Sequence, residues 1–210
     1  MILRIVRSTV AAVVRLLTGT YVLPSSAIPS SPCIVIANHS SHLDTMVIWS
    51  MMPAKLRSNL RPAGGADYWL ATRLRTWFFL SVLNGIPIER RAVTKSNNPI
   101  DDLVKGLERG NSILIFPEGT RSITGELGVF RSGIYHLAQA LPQPTPILPI
   151  GLVNLQRIMP KGEVVPVPLI CTARIGSVIY VHPDESKMSF LERCRSAVYE
   201  LITEGRKNVE

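Results

Sequence analysis

Two short motifs hold the residues of this chain whose types and spacing could do chemistry. The segment Asn38–Asp44 (NHSSHLD) places His39 five positions before Asp44. If His39 lies in a loop and Asp44 in the first turns of the next helix, the carboxylate can hold one imidazole nitrogen. The other nitrogen can then take a proton from a hydroxyl, as in the His–Asp part of a catalytic triad. In that geometry Ser40 or Ser41 is expected to cap the helix.

The segment Phe116–Ser122 (FPEGTRS) supplies the parts of an anion site. Pro117 and Gly119 favour a tight turn in which successive N–H groups point outward. Arg121 can hold a phosphate with paired donors, and Glu118 can orient that arginine or contact a substrate hydroxyl. A turn with a surface ion pair is the plain alternative. The two motifs together favour chemistry on the hydroxyl of a phosphorylated substrate.

Two further arginines are candidates for the same anion pocket. Arg90 follows a predicted strand at Ile86–Ile88, and Arg131 precedes a predicted helix whose N-terminal amides could add to the site. Either arginine could instead be a solvated surface charge.

Other interpretations of the histidine motif stay open. His39 could be a buried, hydrogen-bonded residue near a strand end. A metal site formed by His39, His42 and Asp44 would lack a further ligand with familiar spacing, because His136 and His182 stand alone. We therefore expect neither a bound metal nor a cofactor.

Strand-like and helix-like segments alternate after the Pro/Ser-rich stretch Pro24–Pro32. The predicted strands are Cys33–Ala37, Leu60–Ala63, Ile86–Ile88, Ser112–Phe116, Ile147–Val153 and an edge strand at Thr172–Val181. The predicted helices are Leu43–Met52, Asp67–Leu83, Asn98–Arg109, Ser132–Leu141 and Ser189–Gly205. This alternation predicts a single α/β domain, with a mostly parallel central sheet flanked by helices. We place it at residues 33–210, after an N-terminal helix and linker at residues 1–32.

The first twenty residues predict an amphipathic helix. At 100° per residue, one narrow arc contains Arg4, Arg7, Ser8, Ala11, Arg15 and Thr18, and apolar side chains occupy the rest. A wide apolar face with a cationic stripe fits a helix in the membrane interface, with its arginines among the headgroups. The alternative is an ordinary helix packed on the domain core.

The composition favours an anionic partner. The net charge is +8 and the hydrophobic content is 46%, yet no stretch of eighteen apolar residues lacks a charge. Nucleic acid is disfavoured because aromatic residues make up only 6% and are not interleaved with the basic residues. The three widely spaced cysteines indicate a reducing compartment.

In residues 33–154 the chain resembles the glycerolipid acyltransferases typified by 1-acylglycerol-3-phosphate O-acyltransferase. NHSSHLD matches the family's NHx4D block, which implies that His39 is the general base and Asp44 its partner. IPIERR resembles the second block, in which Arg90 would contact the substrate phosphate. FPEGTRS matches the third block, and ILPIGLVN resembles the fourth. The resemblance implies that the third-block residues bind the glycerol phosphate, and that Pro149 lies at the acyl-chain site; the third-block residues are Glu118, Gly119, Thr120 and Arg121.

The family resemblance implies transfer of a fatty acyl group from acyl-CoA or acyl-carrier protein to the free hydroxyl of a lysophospholipid. The default acceptor is 1-acylglycerol-3-phosphate (lysophosphatidic acid), which would give phosphatidic acid. The expected partners are thus these substrates and anionic membrane lipids, with peripheral attachment at the cytoplasmic face of a membrane. The alternatives are an acyl thioesterase or lipid hydrolase, a metal-dependent hydrolase, a non-catalytic basic binding protein, and an acyltransferase for another lyso-lipid.

Overall fold

A seven-stranded sheet forms the centre of the computed structural model, which describes residues 2–24, 28–29, 32–89, 98–155 and 171–207. The strands are β1 (Tyr21–Pro24), β2 (Ile34–Ala37), β3 (Leu60–Gly65), β4 (Ile86–Ile88), β5 (Ser112–Ile115), β6 (Ile147–Val153) and β7 (Thr172–Ile175). They lie in the order β1-β7-β6-β2-β5-β3-β4. The described neighbours are parallel apart from β6 and β7. The predicted α/β fold with a mostly parallel sheet is confirmed.

Helices cover both faces of the sheet. They are α1 (Ile2–Thr18), α2 (Asp44–Met51), α3 (Ala54–Asn59), α4 (Ala66–Trp69), α5 (Arg73–Trp77), α6 (Pro99–Glu108), α7 (Gly133–Gln139) and α8 (Lys187–Lys207), with a π-helical turn at Phe78–Val82. Within the described ranges, no helix combines the length and the apolar character that a membrane span needs.

The central strand β2 is buried on both of its faces, which explains why its sequence is apolar throughout. Val35 and Ala37 pack into the core on the side of α1 and α2, whereas Ile34 and Ile36 pack into the core on the side of α6, α7 and α8. Each of these four residues is fully buried. A strand that is covered on both faces has no position for a polar side chain, so its run is continuous rather than alternating.

The strand order brings the two chemical motifs to one edge of the sheet. β2 and β5 are parallel neighbours, with Ile34 opposite Ile113 and Ile36 opposite Ile115. The chain leaves β2 for β3 on one flank and leaves β5 for β6 on the other. The two connections run over opposite faces of the sheet, because α2 packs on one face and α7 on the other. Loops that leave neighbouring strands toward opposite faces open a crevice at the carboxyl ends of the strands, which is where α/β sheets bind ligands.

Two predicted elements differ in the structure. β7 is not an edge strand, and that prediction was wrong: β1 pairs with it in parallel on its outer side, from Tyr21 opposite Thr172 to Pro24 opposite Ile175. The four residues of β1 are too few to give a periodic signal beside a helix and a linker. The helix predicted at Asp67–Leu83 is interrupted after α4, and the Thr72 hydroxyl accepts the Arg75 N–H at the start of α5.

The N-terminal helix α1 docks on the domain along the border between its arginine stripe and its apolar face, since Val14 is buried and Val10 packs against the core. Ala11 and Thr18 are buried, and Arg7 and Arg15 donate hydrogen bonds to the carbonyl oxygens of Ser81 and Ser50. Both carbonyls lie in the last turns of helical segments, where backbone acceptors lack intrahelical partners. These two arginines of the stripe therefore contact the domain, whereas Arg4 is exposed.

The opposite face of α1 carries apolar side chains into solvent. Ile2 is 77% exposed, Ile5 60% and Leu16 83%. The predicted boundary between residues 1–32 and 33–210 stays a prediction, although α1 packs on α2 and β1 extends the sheet.

Candidate active site

His39 and Asp44 meet at the loop between β2 and α2. His39 Nδ1 lies 2.8 Å from Asp44 Oδ2, and Asp44 is fully buried while the His39 side chain keeps 17% of its surface exposed. A carboxylate on Nδ1 fixes the ring so that Nε2 is the nitrogen available to a substrate. The geometry is that of a base held by a buried acid, and the catalytic role of the pair stays a prediction.

The Asp44 carboxylate also organises the loop that precedes it. Its Oδ2 accepts the N–H groups of Ser40 at 2.7 Å and Ser41 at 2.8 Å. Leu43 is the N-cap of α2 and makes no side-chain cap, while Ser41 Oγ accepts the Leu43 N–H. Ser41 is thus not the N-cap residue itself, but its hydroxyl accepts an N–H at the start of the helix, as a capping serine does, and Asp44 in the first turn accepts the amides of both serines.

Asn38 fixes the start of the same loop, and the sequence interpretation missed this role. Its side-chain amide donates to the Leu152 carbonyl at 2.9 Å, and its side-chain oxygen accepts the Leu152 N–H at 2.8 Å. The side chain thus continues the pairing of β2 with β6 by one rung. An asparagine directly after a buried strand is the signal that could have identified it.

The loop after β5 holds the main chain and the ring of His39. The His39 N–H donates to Glu118 Oε1 at 2.7 Å, and its carbonyl accepts the Ser122 N–H at 2.8 Å. The imidazole stacks on Phe116, with ring centroids 4.1 Å apart and planes 15° apart. The two motifs are therefore one structural unit.

Gly119 makes the tight turn that the sequence predicted. It has φ +75°, and its N–H donates to the Phe116 carbonyl at 3.0 Å. A Cβ at this position would lie 2.9 Å from Arg131 Nε, so the arginine side chain lies directly against the glycine. Arg131 is exposed, and its N–H closes the loop by donating to the Pro117 carbonyl at 2.9 Å.

Arg121 lines a pocket formed by the loop that follows β5. The pocket has a volume of ≈ 320 Å³ and is lined by Glu118 and by the segment 120–129, called here the pocket loop. Arg121 Nη1 is buried and has no hydrogen-bond partner among the described residues. A buried guanidinium N–H without a partner is costly, and an anion in the pocket would satisfy it. Thr120 is exposed on the same loop.

Glu118 lines the pocket, but its carboxylate is turned toward main-chain amides, and its role in substrate binding stays a prediction. It is only 7% exposed, and its second oxygen accepts the Gly128 N–H at 2.9 Å. Burial raises the pKa of Glu118, and the N–H groups of Gly128 and His39 act in the opposite direction.

Two other predicted site residues lie away from this cluster or outside the described residues. Arg90 falls in the segment 90–97, outside the described residues, so its role stays a prediction. Pro149 lies within β6, which is buried along its whole length, and its carbonyl accepts the Gly176 N–H at 2.9 Å. Its role at an acyl-chain site also stays a prediction.

An aromatic and cationic stack borders the site, and the sequence interpretation did not identify it. His42 stacks on Tyr68, with ring centroids 5.1 Å apart. The guanidinium of Arg75 also lies over the Tyr68 ring, with Cζ 4.7 Å from the ring centroid. Burial lowers the pKa of the His42 imidazole, and the Arg121 cation lowers it further. Both effects favour the neutral form of His42. Among the described residues, no group of three or more His, Cys, Asp or Glu side chains is arranged to hold a metal ion.

Comparison with known proteins places this architecture in a family. Residues 18–153 match the family model described as Acyltransferase. A chloroplastic 1-acyl-sn-glycerol-3-phosphate acyltransferase from Brassica napus is 27% identical over 147 residues, which are 67% of this chain and 38% of that protein. The 1-acyl-sn-glycerol-3-phosphate acyltransferase of Saccharomyces cerevisiae is 33% identical over 134 residues, 61% of this chain and 41% of that protein.

The fold has a solved counterpart. The crystal structure of the 1-acyl-sn-glycerophosphate (LPA) acyltransferase PlsC from Thermotoga maritima superimposes with a TM-score of 0.74, at 18% identity, over 96% of this chain and 78% of that chain. The chain spans less than half the length of the curated relatives above. Because the family model covers more than half of the residues and includes both motifs, the chain belongs to the acyltransferase family.

Proposed function

We propose that the chain transfers a fatty acyl group from acyl-CoA or acyl-carrier protein to the free hydroxyl of 1-acylglycerol-3-phosphate, giving phosphatidic acid. The observation that carries the proposal is the contact of 2.8 Å between His39 Nδ1 and the buried Asp44, on a loop bonded to the loop of Arg121. The names of the relatives support the choice of acceptor.

The first step is general-base catalysis. His39 Nε2 removes the proton of the acceptor hydroxyl as its oxygen attacks the thioester carbonyl carbon, and the new C–O bond forms. The imidazolium that results is stabilised by the Asp44 carboxylate. The tetrahedral oxyanion needs donors. The Gly119 N–H already donates to the Phe116 carbonyl, so the amides of Thr120 and Arg121 are the candidate donors to the oxyanion.

The second step releases the thiol. The oxyanion collapses, the C–S bond breaks, and His39 returns its proton to the leaving sulfur, so the base ends in its original neutral form. Arg121 binds the acceptor phosphate with its unpartnered Nη1 and so holds the reacting hydroxyl near His39. The side chains of this cycle form no covalent acyl intermediate and need no cofactor.

The test is a thiol-release assay with acyl-CoA, with and without 1-acylglycerol-3-phosphate, on the wild type and on His39→Ala. His136→Ala is the matched control, because His136 is exposed on α7. We expect release that depends on the acceptor, falls about 10²–10⁴-fold in His39→Ala and is unchanged in the control. Release without an acceptor would instead indicate a thioesterase. If acyl-CoA fails, acyl-carrier protein and other lyso-lipids are the next substrates, and failure with all of them overturns the proposal.

We further propose that the exposed face of α1 holds the enzyme on an anionic membrane, at the cytoplasmic side. The π-helical turn lies beside α1, since Arg7 bonds to Ser81, and this region exposes Leu74 at 73% and Trp77 at 50%. Two neighbouring apolar surfaces with basic residues at their margins fit an interfacial attachment. Both proposed substrates carry long acyl chains.

Leu16→Asp tests this attachment without disturbing the core, because Leu16 is 83% exposed. Met188→Asp is the matched control, because the Met188 side chain is similar in size to leucine and is 72% exposed on α8. Burial of one such side chain contributes about 1.5–3 kcal/mol, so binding to vesicles that contain phosphatidylglycerol should weaken about 10-fold or more in Leu16→Asp only. Equal binding by the two variants would contradict the proposal.

A further inference from the structure

The carboxylate of Glu118 is committed to the protein's own main chain on both oxygens. Oε1 accepts the His39 N–H at 2.7 Å, and Oε2 accepts the Gly128 N–H at 2.9 Å. The residue is 7% exposed. Hydrogen bonds from backbone amides to a buried carboxylate are among the stronger ones in proteins, and their loss would leave both amides unsatisfied.

We infer that Glu118 is a positioning residue, which acts through the main chain of His39 and through the pocket loop, and is not a ligand for the acceptor. The kinetic part of this inference rests on the proposed function. Its structural part, the contact of the carboxylate with two amides, can be tested on the protein without substrate.

Glu118 influences the direction of the base because three residues of the loop after β5 hold His39. Glu118 takes the His39 N–H, Ser122 donates to the His39 carbonyl at 2.8 Å, and Phe116 supports the ring. Asp44 then sets the rotation of the imidazole. A shift of the His39 backbone would move Nε2 by a similar amount, and an error of about 1 Å in a reacting group can lower a rate about 10²-fold.

Gly128 connects the same carboxylate to the pocket loop and to α8. A Cβ on Gly128 would lie 2.9 Å from Glu118 Oε2, so only glycine lets the carboxylate approach the amide this closely. The Gly128 carbonyl accepts Arg195 Nε at 3.2 Å. The pocket loop is thus held between the C-terminal helix on one side and Glu118 on the other, and Glu118 ties its position to that of the base.

Two substitutions perturb this link from opposite ends. Glu118→Gln keeps the shape of the side chain, but its single carbonyl oxygen can serve one amide while its NH2 group faces the other donor. Gly128→Ala keeps the carboxylate of Glu118 chemically intact but displaces it sterically. Gly133→Ala is the matched control, because it adds the same methyl group at a nearby glycine where a Cβ would meet nothing within 4 Å.

The first readout is amide hydrogen exchange of His39 by NMR, without substrate, together with the urea midpoint of unfolding. The second is the split between kcat and KM for 1-acylglycerol-3-phosphate.

We expect exchange of the His39 amide to accelerate about 10-fold or more in Glu118→Gln and Gly128→Ala, since a charge-assisted bond is lost. We also expect kcat to fall about 10–100-fold with KM nearly constant. Gly133→Ala should match the wild type in every measurement.

The outcomes separate the two hypotheses. A KM that rises 10-fold or more in Glu118→Gln, with His39 exchange and kcat as in the wild type, would make Glu118 a substrate ligand and overturn the inference. If Glu118→Gln does not fold, Gly128→Ala decides alone, and unchanged exchange and kcat there would also overturn it. If the wild type transfers no acyl group, the proposed function fails, while the exchange data still decide whether Glu118 holds His39.

Discussion

Replacement of Asp44 by Asn should separate catalysis from folding at this site. Asp44 is fully buried, and its Oδ2 accepts three N–H donors: His39 Nδ1 at 2.8 Å, Ser40 at 2.7 Å and Ser41 at 2.8 Å. Asn has nearly the same volume but offers a neutral oxygen. Each bond then loses roughly 1 kcal/mol, the difference between a hydrogen bond to a charged group and a neutral one. Removal of a buried charge offsets part of this, so stability should fall by about 1–3 kcal/mol.

Activity should fall much further than stability. The imidazolium formed on His39 during the reaction would lack the negative charge 2.8 Å away that stabilises it. General-base catalysis contributes about 10²–10⁴-fold, and we expect kcat to fall within this range. KM for the acceptor should stay nearly constant, because Arg121, and not Asp44, is proposed to bind the phosphate.

The assay compares initial rates of thiol release with urea unfolding curves of the same preparations. Asp102→Asn is the control, because the Asp102 side chain is 60% exposed on α6 and pairs with the exposed Lys105. A kcat for Asp44→Asn within about 3-fold of the wild type, in folded protein, would refute the argument that His39 acts as a base supported by Asp44.

Three other expectations follow from the same geometry. Arg121→Ala should raise KM for 1-acylglycerol-3-phosphate about 10–150-fold, since a charge-assisted bond to phosphate is worth about 1.5–3 kcal/mol; an unchanged KM in initial-rate assays would exclude its role in binding the phosphate. Gly119→Ala should destabilise the fold by about 1–3 kcal/mol in urea, because φ is +75° and the methyl group would collide with Arg131; stability equal to the wild type would contradict this. Burial raises the pKa of Cys194 to about 12 and raises the pKa of the other two thiols, so the protonated form dominates at pH 8. Ellman's reagent should therefore label the three cysteines only after unfolding, and rapid labelling of native protein would contradict this expectation.

Much of the fold was predictable because its signals are local. The bounds of β4 and β6 agree with the predicted strands at every residue, since each is a short apolar run between turn residues. The cap of α6 was also predictable: Asn98 accepts the Ile100 N–H and Pro99 opens the helix. β1 and the break after α4 were missed, because tertiary pairing and packing decide them rather than periodicity.

The sequence by itself determined which residue types stand at the ends of β2 and β5, and that these strands could bring a base and a cation together. It could not determine what each side chain contacts. Glu118 bonds to His39, far away along the chain, and to Gly128 across the pocket loop, and only the folded loops bring those amides to its carboxylate.

The orientation of α1 shows the same division. The spacing of its residues defined an apolar face and an arginine stripe, and burial of apolar surface alone would favour docking by the apolar face. The structure docks the border between the two faces, where Val10 and Val14 pack beside Ala11 and Thr18. The carbonyls of Ser81 and Ser50 lie where Arg7 and Arg15 can reach them. A helical wheel describes one helix in isolation, whereas the acceptors that select its docked face belong to other elements of the fold.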